Sequence, residues 1–296
     1  MIKVDRSDLL PKQQAENPII IQRVANEWAK ATPAPSTPSD KVWRGSWAGW
    51  CARQIGYEMH KTEPSNPLTV ADYWRFGTGT YVHELLPPVV KKWGAEEGIN
   101  VEEEVEVNLG LHGYGHVDLV LETKDKLTVV EVKTMGATGM DFAVKRGQGP
   151  KHNHFLQGAM YASGLNADEL IIAYFGLENI GPGVAKRLGL DALHRFGAEY
   201  HYTREEFEEE ADIEINRQDL IAKAFLENTS GKNEIQPRFA KTNPEIPFPA
   251  QITNPSTGRW EAHDEDGNLI NTGTAWTCNY CSFQDICKES IPTHSN

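Results

Sequence analysis

Apolar and polar residues alternate along much of residues 101–134, and the period of two predicts strands near 101–109, 114–122 and 127–134. The polar run Thr123-Lys-Asp-Lys126 separates the last two, so they read as a β-hairpin. Helical spacing governs other stretches: from about Val70 to Ala95, about 152–164, and about Thr203 to Asn228. Trp43–His60 also reads as a helix, and a shorter one is expected near 138–146. Glu169–Leu177 is an apolar strand, and Tyr200–Tyr202 is expected to close the sheet. This order predicts an α/β core with a central mixed sheet flanked by helices.

Outside that core the chain is irregular. Residues 1–17 are polar, a helix is expected near Pro18–Lys30, and Ala31–Asp40 is rich in Pro and Ser. Three parts are expected: a leading segment 1–40, a core 41–228 with a Gly-rich insertion at 178–196, and a loop-rich segment 229–296 packed on the core. The last part holds Pro237, Pro244, Pro247, Pro249 and Pro255, and a small hairpin is expected around Gln251–Thr274. No internal repeat is visible.

The chain has 296 residues with 39% apolar content, enough for one large core or two small ones. No segment approaches 18 consecutive apolar residues and the N-terminus has no apolar signal core, so a cytoplasmic protein without a membrane span is expected. Four cysteines, three of them clustered, do not form a secreted disulfide framework. The net charge of −13 argues against nonspecific coating of nucleic acid. The acidic run Arg204–Glu214 reads as a solvated helix face. Lys145–His154 is locally basic, and Lys145, Arg146 and Lys151 are candidate phosphate contacts at a narrow entrance for a strand end.

The hairpin also carries chemistry. Glu131 and Lys133 share a strand face, Val132 points the other way, and Asp118 lies within pairing reach on the neighbouring strand. Charges in apolar strands are costly unless they are used. Two carboxylates beside an amine suit a divalent cation that activates water. His83 follows Gly79 by one helical turn in the segment Phe76–Leu86, and Gln157 and Tyr161, four apart, share a helix face. His116, two residues before Asp118, is a lesser neighbour of the site, and Glu84 reads as structural. Cys278, Cys281 and Cys287, with Cys51 far upstream, suit either zinc or an iron–sulfur cluster by residue type.

Taken in order, Gly-x-x-x-His, Asp, Glu-x-Lys, Gln-x-x-x-Tyr and a split four-cysteine set resemble the PD-(D/E)XK superfamily, in its RecB-like exonuclease branch. Among these, CRISPR-associated RecB-like exonucleases, the AddB nuclease domain and phage homologues share the pattern. The resemblance implies a restriction-endonuclease-like core. It implies Mg²⁺ or Mn²⁺ held by His83, Asp118, Glu131 and the Val132 carbonyl, and water activated by Lys133. It implies that Gln157 and Tyr161 orient the substrate phosphate or Lys133. It favours a [4Fe–4S] cluster on Cys51, Cys278, Cys281 and Cys287 over zinc, joining the N- and C-terminal segments. The expected activity is a DNA exonuclease preferring single-stranded ends, in recombination, repair or phage DNA processing. The alternative is a non-catalytic DNA-end-binding subunit of a helicase or integrase complex. The sequence has no Walker-type loop, so any helicase or recombination partner is a separate chain.

Overall fold

The structure, a computed structural model, describes residues 42–50, 52–140, 149–177, 186, 196–228, 250–253, 260–263, 281–283 and 285–286. The expected helix near Pro18–Lys30, the start of the 178–196 insertion, and Cys51, Cys278, Cys287, Lys145 and Arg146 lie outside them.

The helix expected from Trp43 begins instead as a strand. Trp43–Arg44 (β1) pairs parallel with the start of the central strand, Trp43 opposite Gly113 and Arg44 opposite Tyr114. A single 3₁₀ turn follows at Gly45–Trp47, and only Ala52–Met59 (α1) is α-helical. Long-range bonds override the local spacing of tryptophans. The Trp43 N–H donates to His112 O at 3.2 Å, and its indole donates to Asp219 at 2.8 Å.

The long helix α2 runs over Val70–Glu97. Thr69 and Asp72 form a reciprocal capping box at its start, and Gly98 ends it in the left-handed conformation at φ 73°. Pro87 and Pro88 lie inside it and have no N–H to donate to the carbonyls of His83 and Glu84. Strands Asn100–Leu109 (β2), Gly113–Glu122 (β3) and Leu127–Met135 (β4) form an antiparallel meander, with Thr123 N–H closing the turn onto Lys126 O at 2.9 Å. After a short helix at Ala137–Met140 (α3) comes His152–Gly164 (α4), then Glu169–Gly176 (β5), parallel to β4. Gly197–Thr203 (β6) pairs antiparallel to β5, and Arg204–Asn228 (α5) follows. The expected sheet closure and the mixed sheet are both present. Ala250–Thr253 (β7) and Trp260–His263 (β8) form a separate two-stranded hairpin.

The two sheet faces are covered differently. On one, Leu86 and Val90 of α2 pack on Leu119, Val130, Val132 and Ala173. On the other, Leu156, Ala159 and Met160 of α4 join Val129, Leu170 and Ile172 in the larger core, backed by Phe207, Ala211 and Ile221 of α5. No helix among the described residues is long and apolar enough to cross a membrane.

Candidate metal-dependent active site

The site lies where two strands part. β3 and β4 are paired from Glu122↔Leu127 to Leu119↔Val130, and the pairing stops there. One residue further along each strand are Asp118 and Glu131. β2 pairs with β3 along its length except at Glu104, so β1 and β4 share the other edge, β1 taking the first two residues of β3 and β4 the last four. The opening between them exposes strand backbone, and Asp118 uses it: the Val132 N–H donates to Asp118 Oδ2 at 2.7 Å. From α2, His83 Nδ1 lies 3.0 Å from Asp118 Oδ1. Gly79, one turn before His83, faces β4: a Cβ there would stand 3.4 Å from the Thr134 hydroxyl, an ordinary contact distance.

Glu131 and Lys133 point to the α4 side. Lys133 Nζ is 2.6 Å from Glu131 Oε1 and donates a hydrogen bond to Gln157 Oε1 at 3.0 Å. Gln157 Nε2 in turn donates to the Tyr161 hydroxyl at 3.3 Å. The i, i+4 spacing on α4 thus delivers a chain of contacts ending on the amine. Tyr161 is held by backbone: a Cβ at Gly45 or at Gly115 would sit 2.2 or 2.3 Å from its ring, so both positions need glycine.

Burial shapes the charges. Glu131 is 1% exposed, and that burial pushes its carboxyl well above the usual range, with the Lys133 ammonium opposing and Asp118 adding to the rise. The His83 imidazole is pushed up, chiefly by its hydrogen bond to Asp118, against the effect of burial. Burial also raises the Tyr161 hydroxyl, so it stays protonated, able to donate as well as accept.

A divalent cation fits this donor set. The Lys133 ammonium, 2.6 Å from Oε1, is the one polar contact of the Glu131 carboxylate among the described residues, and Oε2 has no hydrogen-bond partner there. Leaving a buried carboxylate so poorly satisfied costs several kcal/mol unless something binds it, roughly 1–3 kcal/mol for even a neutral group. Hard oxygen ligands beside an imidazole are what Mg²⁺ or Mn²⁺ would use.

The model of the PD-(D/E)XK nuclease superfamily matches residues 8–288. The chain belongs to that superfamily. Its members use divalent metals. Among solved structures, that of SSO0001 is similar at 17% identity and a TM-score of 0.47, covering 92% of this chain and 98% of the other. An alkaline exonuclease from Laribacter hongkongensis is similar at 13% identity and a TM-score of 0.43, covering 69% of this chain and 96% of the other. A phage-related exonuclease from Haemophilus somnus is similar at 12% identity and a TM-score of 0.37, covering 70% and 95%. No curated protein matches the chain.

Of the residues marked in the sequence of this superfamily member, His83, Asp118, Val132, Glu131, Lys133, Gln157 and Tyr161 are brought together. His116 is not: it is exposed and stands edge-on to Tyr114. Lys151 is exposed at the start of α4, where its N–H donates to the Tyr174 hydroxyl at 3.0 Å. His154, beside it, lies 2.9 Å from the same hydroxyl, and burial pushes its imidazole down to about 3. Sequence reasoning missed Glu104, whose carboxylate lies within 4.8 Å of ligand atoms of both His83 and Asp118. Period-two counting along Glu102-Glu-Glu-Val-Glu106 puts Glu102, Glu104 and Glu106 on one face and does not single it out.

Proposed function

We propose that this PD-(D/E)XK nuclease is a metal-dependent exodeoxyribonuclease that hydrolyses phosphodiester bonds from single-stranded ends. The observation that carries the reading is the Lys133 amine fixed between Glu131 and Gln157, beside Asp118 in the strand opening. Asp118, Glu131, the Val132 carbonyl and His83 would hold the divalent cation. When bound, that cation polarises the scissile phosphate and lowers the pKa of its water. Lys133 would orient the attacking water and neutralise charge developing on the phosphate, and Gln157 keeps the amine from swinging away. Tyr161 fixes Gln157. Lys145, Arg146 and Lys151 would contact the phosphates of an entering strand, and on a protein of net charge −13 so local a basic segment would favour a flexible end over an extended duplex.

The decisive experiment compares end-labelled linear single strands, duplexes and covalently closed single-stranded circles with Mn²⁺ or Mg²⁺. Linear single strands should be degraded and circles should resist. Equal rates on both would make the protein an endonuclease.

The cysteines complete the proposal. A [4Fe–4S] cluster on Cys51, Cys278, Cys281 and Cys287 would tie the C-terminal segment to the core. What supports this is the docking of Ser282, Phe283 and Asp285 on α1, which begins just after Cys51, and on the loop that follows it. The Phe283 and Tyr57 rings are 5.1 Å apart, Asn66 N–H donates to Ser282 O at 2.8 Å, and Asp285 N–H donates to Ser65 Oγ at 3.1 Å. Iron and sulfide analysis of anaerobically purified protein tests it; stoichiometric zinc without iron would replace the cluster with a zinc site.

A further inference from the structure

Glu104 is a non-glycine residue with positive φ, 51°, inside a β-strand; the other two described, Lys61 and Asn166, are outside strands. The ladder between β2 and β3 is regular on both sides, Glu103↔Leu119 and Val105↔Val117, but no pair joins Glu104 to Asp118. A left-handed conformation is unfavourable for a side chain with a Cβ, and it persists only where the surroundings impose it. Here it turns one residue out of the ladder directly opposite Asp118. The acids of this strand have different fates. Glu103 pairs with Lys91 of α2 at 2.9 Å, whereas no Lys or Arg among the described residues pairs with Glu104. Its carboxylate instead meets His83 and Asp118, with ligand atoms mutually within 4.8 Å.

Acidic groups gather at many surfaces without binding anything. This group differs because the neighbouring Glu131 is 1% exposed, with Oε1 meeting only the Lys133 ammonium and Oε2 without a partner among the described residues, and its charge is felt together with those of Asp118 and His83. β2 and β4 lie on opposite edges of β3, so Asp118 stands between Glu104 on one side and Glu131 on the other.

We propose that Glu104 is a cation ligand: with His83 and Asp118 it forms a nitrogen-and-oxygen site for a divalent cation on the β2 side of Asp118. One imidazole with two carboxylates favours Mn²⁺ over Mg²⁺. The assignment rests on the nuclease reading above and adds a donor to it. It also explains the backbone at Glu104, since a residue in the regular ladder could not turn its carboxylate into this corner.

The test titrates Mn²⁺ into the full-length protein, following free Mn²⁺ by electron paramagnetic resonance and the melting temperature in parallel. E104Q should weaken or lose one Mn²⁺ binding event by at least about tenfold. E103Q should titrate like the wild type. E104G, which accepts positive φ without strain, should melt at or above the wild-type temperature without metal and lose most of the Mn²⁺-induced rise. E104Q binding the same number of Mn²⁺ ions within twofold of wild-type affinity would overturn the proposal. So would an E104G that melts lower without metal yet titrates normally, which would make Glu104 structural. D118A separates the two levels: if it still cleaves DNA the nuclease reading fails, whereas a dead D118A with wild-type Mn²⁺ binding in E104Q removes only the Glu104 ligand.

Discussion

Glu131 and Glu214 are carboxylates buried to nearly the same degree, 1% and 4% exposed, and the fold treats them oppositely. Glu214 on α5 is saturated. It accepts from Gly49 N–H at 2.9 Å, from two Arg217 nitrogens at 2.7 Å and from Gln218 Nε2 at 2.8 Å, while Arg217 and Gln218 also bond the Trp50 and Trp47 carbonyls. Burial would raise its carboxyl, but Arg217, Gly49 and Gln218 hold it below the usual range. Glu131 has the Lys133 ammonium on one oxygen and no partner on the other among the described residues, and its carboxyl is raised. The first arrangement fastens the 42–50 segment to α5. The second leaves a buried oxygen open to a ligand. Burial alone does not tell a structural acid from a functional one; the accounting of its lone pairs does.

The comparison is sharpest in activity. E131Q keeps the shape and removes the charge, and it should lower cleavage of single-stranded DNA by about 10³-fold or more, a loss of several kcal/mol in transition-state stabilisation. E214Q should stay within a few-fold of wild type at temperatures where it is folded. Comparable losses in both would erase the distinction.

Stability should order the two the other way. E214A strands the Gly49 N–H and Arg217 and should cost about 2–4 kcal/mol in denaturant unfolding. E131Q without metal should be as stable as the wild type or more so. Chelation extends this: stripping divalent metal should lower the wild-type melting temperature, and lower that of E131Q by less.

Within the active-site chain, Q157A should cost more than Y161F. The first removes the acceptor of Lys133 and should lower kcat by about tenfold or more. The second removes one 3.3 Å hydrogen bond and should cost only a few-fold, about 1 kcal/mol. A Y161F loss as large as that of Q157A would place Tyr161 on the substrate itself.

The smallest effect is in pH. Glu214 has a lowered folded-state pKa, so its stabilisation is present above the unfolded value of about 4.3 and is lost as pH falls through the folded value. Glu131 is raised, so its ionisation penalises the metal-free fold as pH climbs above about 4.3. E214Q should therefore flatten the acid limb of a stability–pH curve, and E131Q the neutral side.

Much of this was legible in the sequence. The meander from 100 to 135 follows from alternation, and the alignment of Gln157 with Tyr161 follows from helical spacing. The start of the chain's core was not. Trp43, Trp47 and Trp50 recur at helical intervals, but their order is set by partners more than 60 residues away, His112, Gly113 and Asp219. The acidic run of α5 reads as a solvated face, and Glu208, Glu209 and Glu210 are exposed. Glu214 departs from it because it continues the buried spacing Phe207, Ala211, Gln218 and Ile221. That spacing was available to see. Glu104 was not, since a left-handed residue in a strand leaves no trace in composition or period.

The two glycines against Tyr161 also have a consequence in time. An aromatic ring turns over about its axis only when its neighbours give way, because packed interiors hold little free volume. Backbone at Gly45 and Gly115 cannot step aside as a side chain can. Each half-turn of this ring therefore requires the 3₁₀ turn and β3 to separate for a moment, and the turnover rate becomes a clock for breathing of the strand opening itself.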